Sequence, residues 1–85
     1  MYLEAYAYYN KYVLEPLIHV LRMIYTPAHA HYYLIHISQH LPKIEVEKLQ
    51  FFAQISTLKD MEDRIPLAEI WFSELMESLK EIGME

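Results

Sequence analysis

The fold class is decided by residues 61–82, whose sequence is MEDRIPLAEIWFSELMESLKEI. Apolar side chains recur there at alternating spacings of four and three residues, which is typical of an amphipathic helix that buries one face. The predicted buried positions are Met61, Ile65, Ala68, Phe72, Leu75, Leu79 and Ile82. Pro66 lies inside this pattern, so we expect the helix to be kinked or broken there.

Helical spacing also begins at the N-terminus, in residues 2–25, YLEAYAYYNKYVLEPLIHVLRMIY. The predicted buried positions of this stretch are Leu3, Ala7, Leu14, Leu17, Leu21 and Ile24. Pro16 predicts a kink near residues 13–15, or two consecutive helices. The pattern starts without a capping residue, which indicates a domain cut from a longer protein, although a frayed natural terminus gives the same pattern.

Two shorter helices are predicted between these stretches. Thr26 and Pro27 form a helix start signal, and the second helix should end near His40. Pro42 should open the third helix, and Ser56-Thr57 should cap the last one. The predicted buried positions are Ala30, Leu34, Ile37 and Leu41 in the second helix and Ile44, Leu49, Phe51, Phe52 and Ile55 in the third. Four helices with short connections predict one all-α domain over residues 1–85, an antiparallel up-and-down bundle.

Composition excludes several classes of function. The chain has one Gly and no Cys, so disulfides, thiolate metal sites, cysteine nucleophiles and glycine-rich phosphate loops are absent from the sequence. Its net charge of −5 does not suggest a nucleic-acid partner. No apolar run approaches the ~18–20 residues of a membrane helix, and the N-terminus does not resemble a signal peptide. We therefore expect a cytoplasmic protein that contacts neither nucleic acid nor membrane.

Charge and aromatic residues are unevenly distributed. All eight Tyr and all five His precede residue 41, and residues 1–42 carry two basic and two acidic side chains. Residues 43–85 carry five basic and ten acidic side chains, which account for the whole net charge. The first half is either the centre of the bundle or a contact surface. The candidate interface or substrate-facing residues are Tyr2, Tyr6, Tyr9, Tyr12, His29, Tyr33, His36 and His40.

The same residues do not predict an active site. His36 and His40 have a spacing that can chelate a metal, but no carboxylate lies between residues 16 and 44 and the HExxH motif is absent. The serines lack a nucleophile-elbow context. We predict no catalytic residue, no metal ligand and no cofactor in this domain.

Several stretches resemble a known family: residues 9–22 (YNKYVLEPLIHVLR), 25–27 (YTP), 33–42 and 56–72. They are similar to the helical C-terminal region of bacterial nucleotidyltransferase-like proteins related to the aminoglycoside-modifying enzymes. In that family an N-terminal domain carries Gly-Ser and Asp-x-Asp elements that hold magnesium and a nucleoside triphosphate, and neither element occurs here. The resemblance therefore implies a non-catalytic accessory domain, which packs on a catalytic domain and helps form the acceptor-substrate side.

Two alternatives remain open. A stand-alone module could homodimerise through its first helix, because a small chain gains core by pairing with itself. The chain also resembles HEPN bundles, some of which are ribonucleases with an Arg-x4-6-His motif. Arg22 and His29 fit the longest spacing of that motif, although Thr26-Pro27 interrupts the helix between them.

Overall fold

A computed structural model describes residues 2–32 and 34–83. Within these ranges every regular element is helical, which confirms the all-α class. The elements are α1 (Tyr2–Tyr9), a π-helical segment (Asn10–Leu14), α2 (Glu15–Tyr25), a 3-10 helix (Pro27–Tyr32), α3 (Ile37–His40), α4 (Lys43–Ala53) and α5 (Leu58–Glu81). None of the described helices is long and apolar enough to cross a membrane.

The backbone of residues 2–25 stays helical through Pro16, and a π-helical segment separates α1 from α2 just before that residue. The irregularity is the π-helical segment, in which the Glu15 N–H donates to the Asn10 carbonyl five residues earlier. Pro16 has no N–H and its ring crowds the preceding turn, and a wider π turn just before it relieves that crowding. A kink at this position stays a prediction.

The predicted second helix is not a continuous α-helix. Residues after Thr26 form the 3-10 helix, in which His29 has non-helical dihedral angles, and α3 has only four residues. The turn before α3 contains His36 at a φ of 61°. The Arg22 guanidinium binds the Ile35 carbonyl, and the Gln39 N–H donates to His36, so the Ile35–Gln39 bond of a regular helix is lost.

The last two helices begin where the sequence predicts. Pro42 precedes α4. Thr57 caps α5: its hydroxyl accepts from the Asp60 N–H, and the Asp60 carboxylate accepts from the Thr57 N–H. Because α5 continues without interruption through Pro66, the expected break at that residue is wrong, and a kink there stays a prediction.

The core forms mainly where α2 packs on α5. α5 also contacts α1, while α4 packs against α3 and the π-helical segment. The buried apolar side chains are Tyr9, Leu14, Leu17, Ile18, Val20, Leu21, Leu41, Leu49, Phe52, Met61, Ala68, Trp71, Leu75 and Leu79. Five residues of the eleven-residue helix α2 are buried, so α2 lies at the centre of the molecule. They are Leu17, Ile18, Val20, Leu21 and Arg22.

Some predicted core positions are exposed instead. They are Leu3, Ala7, Leu34, Ile44, Phe51, Ile65 and Ile82. Phe72 is half-buried, whereas its neighbour Trp71 is buried and stacks on Phe52 with ring centroids 5.5 Å apart. The spacing identified the buried stripe of α5 correctly at Met61, Ala68, Leu75 and Leu79.

Candidate functional site

The tyrosines of the first helix form the first candidate surface. Tyr2 stacks on Tyr6 with ring centroids 6.2 Å apart, and Tyr8 stacks on Tyr12 at 5.6 Å. All four are exposed, Tyr8 and Tyr12 by 66% and 62% of their surface. We call these four residues the tyrosine surface. Exposed tyrosine brings apolar area with a polar tip, which suits contact with another protein.

A groove of about 780 Å³ adjoins the tyrosine surface. Its lining residues include Tyr12 of the π-helical segment, Pro16 and Leu17 of α2, and Ile65, Ala68 and Phe72 of α5. The lining is mainly apolar, with Glu69 as its charged member. The groove therefore extends the tyrosine surface across to α5 and can accept an apolar side chain.

Tyr9 does not belong to the tyrosine surface, which corrects its prediction as a contact residue. Only 3% of Tyr9 is exposed, and its hydroxyl donates a 2.7 Å hydrogen bond to the Phe52 carbonyl of α4. Burial raises the pKa of this hydroxyl, and the Arg64 charge opposes the effect. Tyr9 is a core residue that ties α1 to α4.

The histidines form a second candidate surface, separate from the first. His29 stacks on His40 with ring centroids 5.1 Å apart and on Tyr32 at 5.2 Å, and His36 lies 6.0 Å from His40. The sequence-based prediction named His29, His36 and His40 as contact residues, and their rings lie together here on a segment that is not the predicted continuous helix. It did not include Tyr32, whose ring also contacts His31 edge-on at 4.4 Å. Tyr33 lies outside the described residues.

Arg22 lies beneath the histidines and has no exposed surface. Its Nη1 donates to the Thr26 hydroxyl at 3.1 Å and lies 2.7 Å from His40 Nδ1. Its Nη2 donates to the Ile35 carbonyl at 2.9 Å. Burial lowers the pKa of Arg22 from its ordinary value, yet a guanidinium keeps its charge in proteins. The group thus holds a fixed positive charge under the imidazoles.

The pKa of His40 lies below the ordinary value for histidine. Desolvation is the largest cause, because His40 is half-buried, and the charges of Arg22, His29 and His36 add to it. A lowered pKa keeps the imidazole neutral near pH 7, and a neutral Nδ1 can accept the hydrogen bond from Arg22. The histidine cluster, defined as His29, Tyr32, His36 and His40, is therefore uncharged at its centre.

The arrangement of these residues bears on metal binding and on RNA cleavage. No group of three or more histidine, aspartate or glutamate side chains in the described ranges is arranged to hold a metal ion. His40 contacts both Arg22 and His29. His29 is exposed, but the buried guanidinium of Arg22 is directed to His40, Thr26 and Ile35 rather than to solvent.

No protein-family model, curated protein or solved structure matches this chain.

Proposed function

We propose that this chain is a non-catalytic helical interaction domain that binds another protein through the tyrosine surface. The observation that carries the proposal is the pairing of exposed rings on a helix with little charge. Across residues 2–14 only Glu4 and Lys11 are charged, while Tyr2, Tyr6, Tyr8 and Tyr12 are exposed. Contiguous exposed apolar area of this kind marks an interaction site on a soluble protein.

The proposed partner is the N-terminal catalytic domain of a nucleotidyltransferase-like protein. This identity rests on the resemblance of residues 9–22, 25–27, 33–42 and 56–72. In such an assembly the present domain helps form the acceptor-substrate side, and magnesium and the nucleoside triphosphate belong to the partner. An antiparallel arrangement of about four helices and a cytoplasmic, bacterial setting are part of the same proposal.

A second copy of the chain is the alternative partner, and charge favours it. Residues 43–85 carry the whole net charge of −5, whereas residues 1–42 carry none. Two copies that meet through the tyrosine surface bring few charges together, because Glu4 and Lys11 are the only charged residues of positions 2–14, so self-association there has little electrostatic cost. The groove between Tyr12 and Phe72 can accept an aromatic side chain of the other copy.

The test compares two variants of the purified domain. Tyr8→Lys/Tyr12→Lys places two charges on the tyrosine surface, and Ile44→Lys places one at an exposed apolar position on α4. Self-association is measured by equilibrium sedimentation at micromolar concentration. Binding of an added nucleotidyltransferase-like catalytic domain is measured by calorimetry.

We expect the tyrosine variant to raise the Kd of the complex by about thirtyfold or more, because loss of an aromatic hot spot costs about 2 kcal/mol. The Ile44 variant should bind like the wild type. A dimer that only the tyrosine variant weakens identifies the second copy as partner. A wild-type domain that stays monomeric and binds no catalytic domain refutes the proposal.

The ribonuclease hypothesis stays a separate prediction. It requires Arg22 to reach a phosphate, and the guanidinium is fully buried in this conformation. Its test is cleavage of RNA by the wild type and by His29→Ala. Cleavage lost in the variant supports the hypothesis, whereas cleavage that persists excludes His29 as the catalytic group.

A further inference from the structure

The segment that carries the histidine cluster buries few side chains, although Ile37 packs, partly buried, against the core. We call residues 27–32 and 34–41 the connecting segment. Neither the 3-10 helix nor α3 contains a buried residue, and Leu34 and Ile35 are 56% and 62% exposed. Leu41 at its end is buried. Segments with so little buried apolar area open more readily than the core.

Polar contacts to Arg22 hold this segment. The guanidinium binds the Ile35 carbonyl through one nitrogen and His40 through another, so it contacts the backbone before His36 and the side chain after it. Between these two contacts His36 adopts a left-handed backbone conformation, which is unfavourable for a residue with a side chain. The turn therefore depends on contacts that compensate for this strain.

The contact to His40 depends on its protonation state. A guanidinium has only donors, so His40 Nδ1, 2.7 Å away, must carry a lone pair and no proton. The proton of the neutral ring then lies on Nε2. Protonation at Nδ1 removes the acceptor and places a second cation against the buried charge of Arg22.

Other groups around His40 give little compensation for a new positive charge. His29, Tyr32 and His36 face its ring from the connecting segment. On α4, which packs against α3, the charged residues are Lys43, Glu45, Glu47 and Lys48.

Glu45 is already engaged by other groups. Its carboxylate accepts a 2.9 Å hydrogen bond from the Tyr25 hydroxyl and lies 3.9 Å from Lys48 Nζ. Burial and the contact with Glu45 raise the pKa of Tyr25, so the hydroxyl keeps its proton and remains the donor. The Glu45 carboxylate is thus directed to Tyr25 and Lys48.

We propose that Arg22 and His40 form a proton-operated latch, which holds the connecting segment on α2 when His40 is neutral and releases it when His40 is protonated. Release allows His36 to leave its left-handed conformation and exposes Arg22 and Leu41. The latch is independent of the tyrosine surface, because no residue is shared between the two.

The direction of the pH dependence follows from the two states. In the open state His40 titrates near its ordinary value of about 6.5, and in the closed state it titrates at a lower pH. The open state thus binds more protons, and the closed state loses stability as the pH falls below about 6.5. The loss is complete once the pH is below the pKa of the closed state.

The test follows the wild-type protein by NMR between pH 7.5 and pH 5, conditions chosen to bracket the ordinary histidine pKa of about 6.5. Histidine ring protons report the pKa of each imidazole, and amide hydrogen exchange reports local opening. Protection factors in the connecting segment should fall as His40 titrates, by about tenfold for each pH unit between its open and closed pKa values. Amides of α2 and α5 should keep their protection. Unchanged protection of the segment while His40 titrates overturns the proposal.

A matched pair of variants isolates His40. In His40→Asn the amide oxygen occupies the place of Nδ1 and accepts from Arg22 but does not titrate, so the pH response of the segment should disappear. His19→Asn removes an exposed histidine of α2 outside the cluster and should leave the response unchanged. A His40→Asn protein that still opens with the wild-type pH dependence shows that the latch is not operated by His40.

Discussion

At the scale of single residues, the tyrosine stripe of the first helix separates into two roles. Tyr2, Tyr6 and Tyr9 share a stripe by spacing, yet the first two are exposed and Tyr9 is buried against Phe52. The spacing of a helix defines which residues share a face. It does not define how far along that face a neighbouring helix extends. Tyr9 is buried by α4, whose Phe52 lies 43 residues later in the sequence.

The hydroxyl of Tyr9 provides a direct test of this assignment. Tyr9→Phe keeps the ring but leaves the buried Phe52 carbonyl without its donor, so we expect a loss of about 1–3 kcal/mol in the free energy of unfolding. Tyr12→Phe removes the same atom at an exposed position and should change stability by less than about 0.5 kcal/mol. Urea denaturation of the two variants measures both effects. Equal losses would mean that the buried hydroxyl of Tyr9 contributes no more to stability than the solvent-exposed hydroxyl of Tyr12.

At the scale of secondary structure, local signals predicted the helix ends better than the helix interiors. Thr57 and Pro42 mark real starts because a cap acts within one turn. The interior of the expected second helix differs, because its backbone conformation depends on Arg22. The Arg22 guanidinium binds the Ile35 carbonyl, which lies 13 residues later in the sequence. A helical period cannot report a side chain that arrives from another element.

The buried stripe of α5 extends from Met61 to Leu79 and is longer than the helix that covers most of it. The 24 residues of α5 extend about 36 Å, whereas the 11 residues of its main partner α2 extend about 17 Å. One helix therefore cannot cover the whole stripe of the other. α1 also packs on α5, and the pattern alone does not mark the exposed positions, because Ile65 is exposed although Met61 and Ala68 are buried.

The cap of α5 is expected to contribute measurably to stability. Thr57→Ala removes the hydroxyl that accepts from the Asp60 N–H and should cost about 1 kcal/mol in the free energy of unfolding. Thr57→Ser keeps an oxygen in the same place and is the control, with stability close to the wild type. Thermal or chemical denaturation of the three proteins compares them. If the alanine variant matches the serine variant, the capping box contributes nothing to stability.

The pH dependence of this cap has a defined sign. Hydrogen bonds from Ser56 and then Thr57 lower the pKa of the Asp60 carboxyl, with desolvation acting in the opposite direction. The stabilisation is present above the ordinary aspartate pKa of about 3.9 and is lost as the pH falls through the lower value of the folded state. This acid range lies below the histidine range, so the cap and the latch can be measured separately.

At the scale of the whole molecule, the first half, which has a net charge of zero, lies partly in the core and partly on the surface. α2 lies at the centre and α1 presents its tyrosines to solvent, so one stretch of low charge divides into core and surface at the π-helical segment. Composition predicted that this half needs cover or a partner. Which residues of this half are covered and which are exposed depends on the helices that pack against α2, and composition does not contain that tertiary information.

The stability of the molecule should therefore depend on α2 and not on the connecting segment. Leu21 has no exposed surface, and Leu21→Ala should cost about 2–5 kcal/mol, a large share of the ~5–15 kcal/mol typical of a small domain. Leu34→Ala, at a residue that is 56% exposed, should change stability by less than about 0.5 kcal/mol.

Two probes of urea denaturation make this comparison informative about the whole molecule. Circular dichroism reports all helices, and fluorescence of Trp71, the single tryptophan, reports the core between α4 and α5. If α2 holds the parts together, Leu21→Ala should shift both transitions to lower urea by the same amount, because one cooperative unit is weakened. A shift in only one probe would mean that the core around Trp71 unfolds independently of α2. A larger effect of Leu34→Ala than of Leu21→Ala would instead move the centre of stability to the connecting segment.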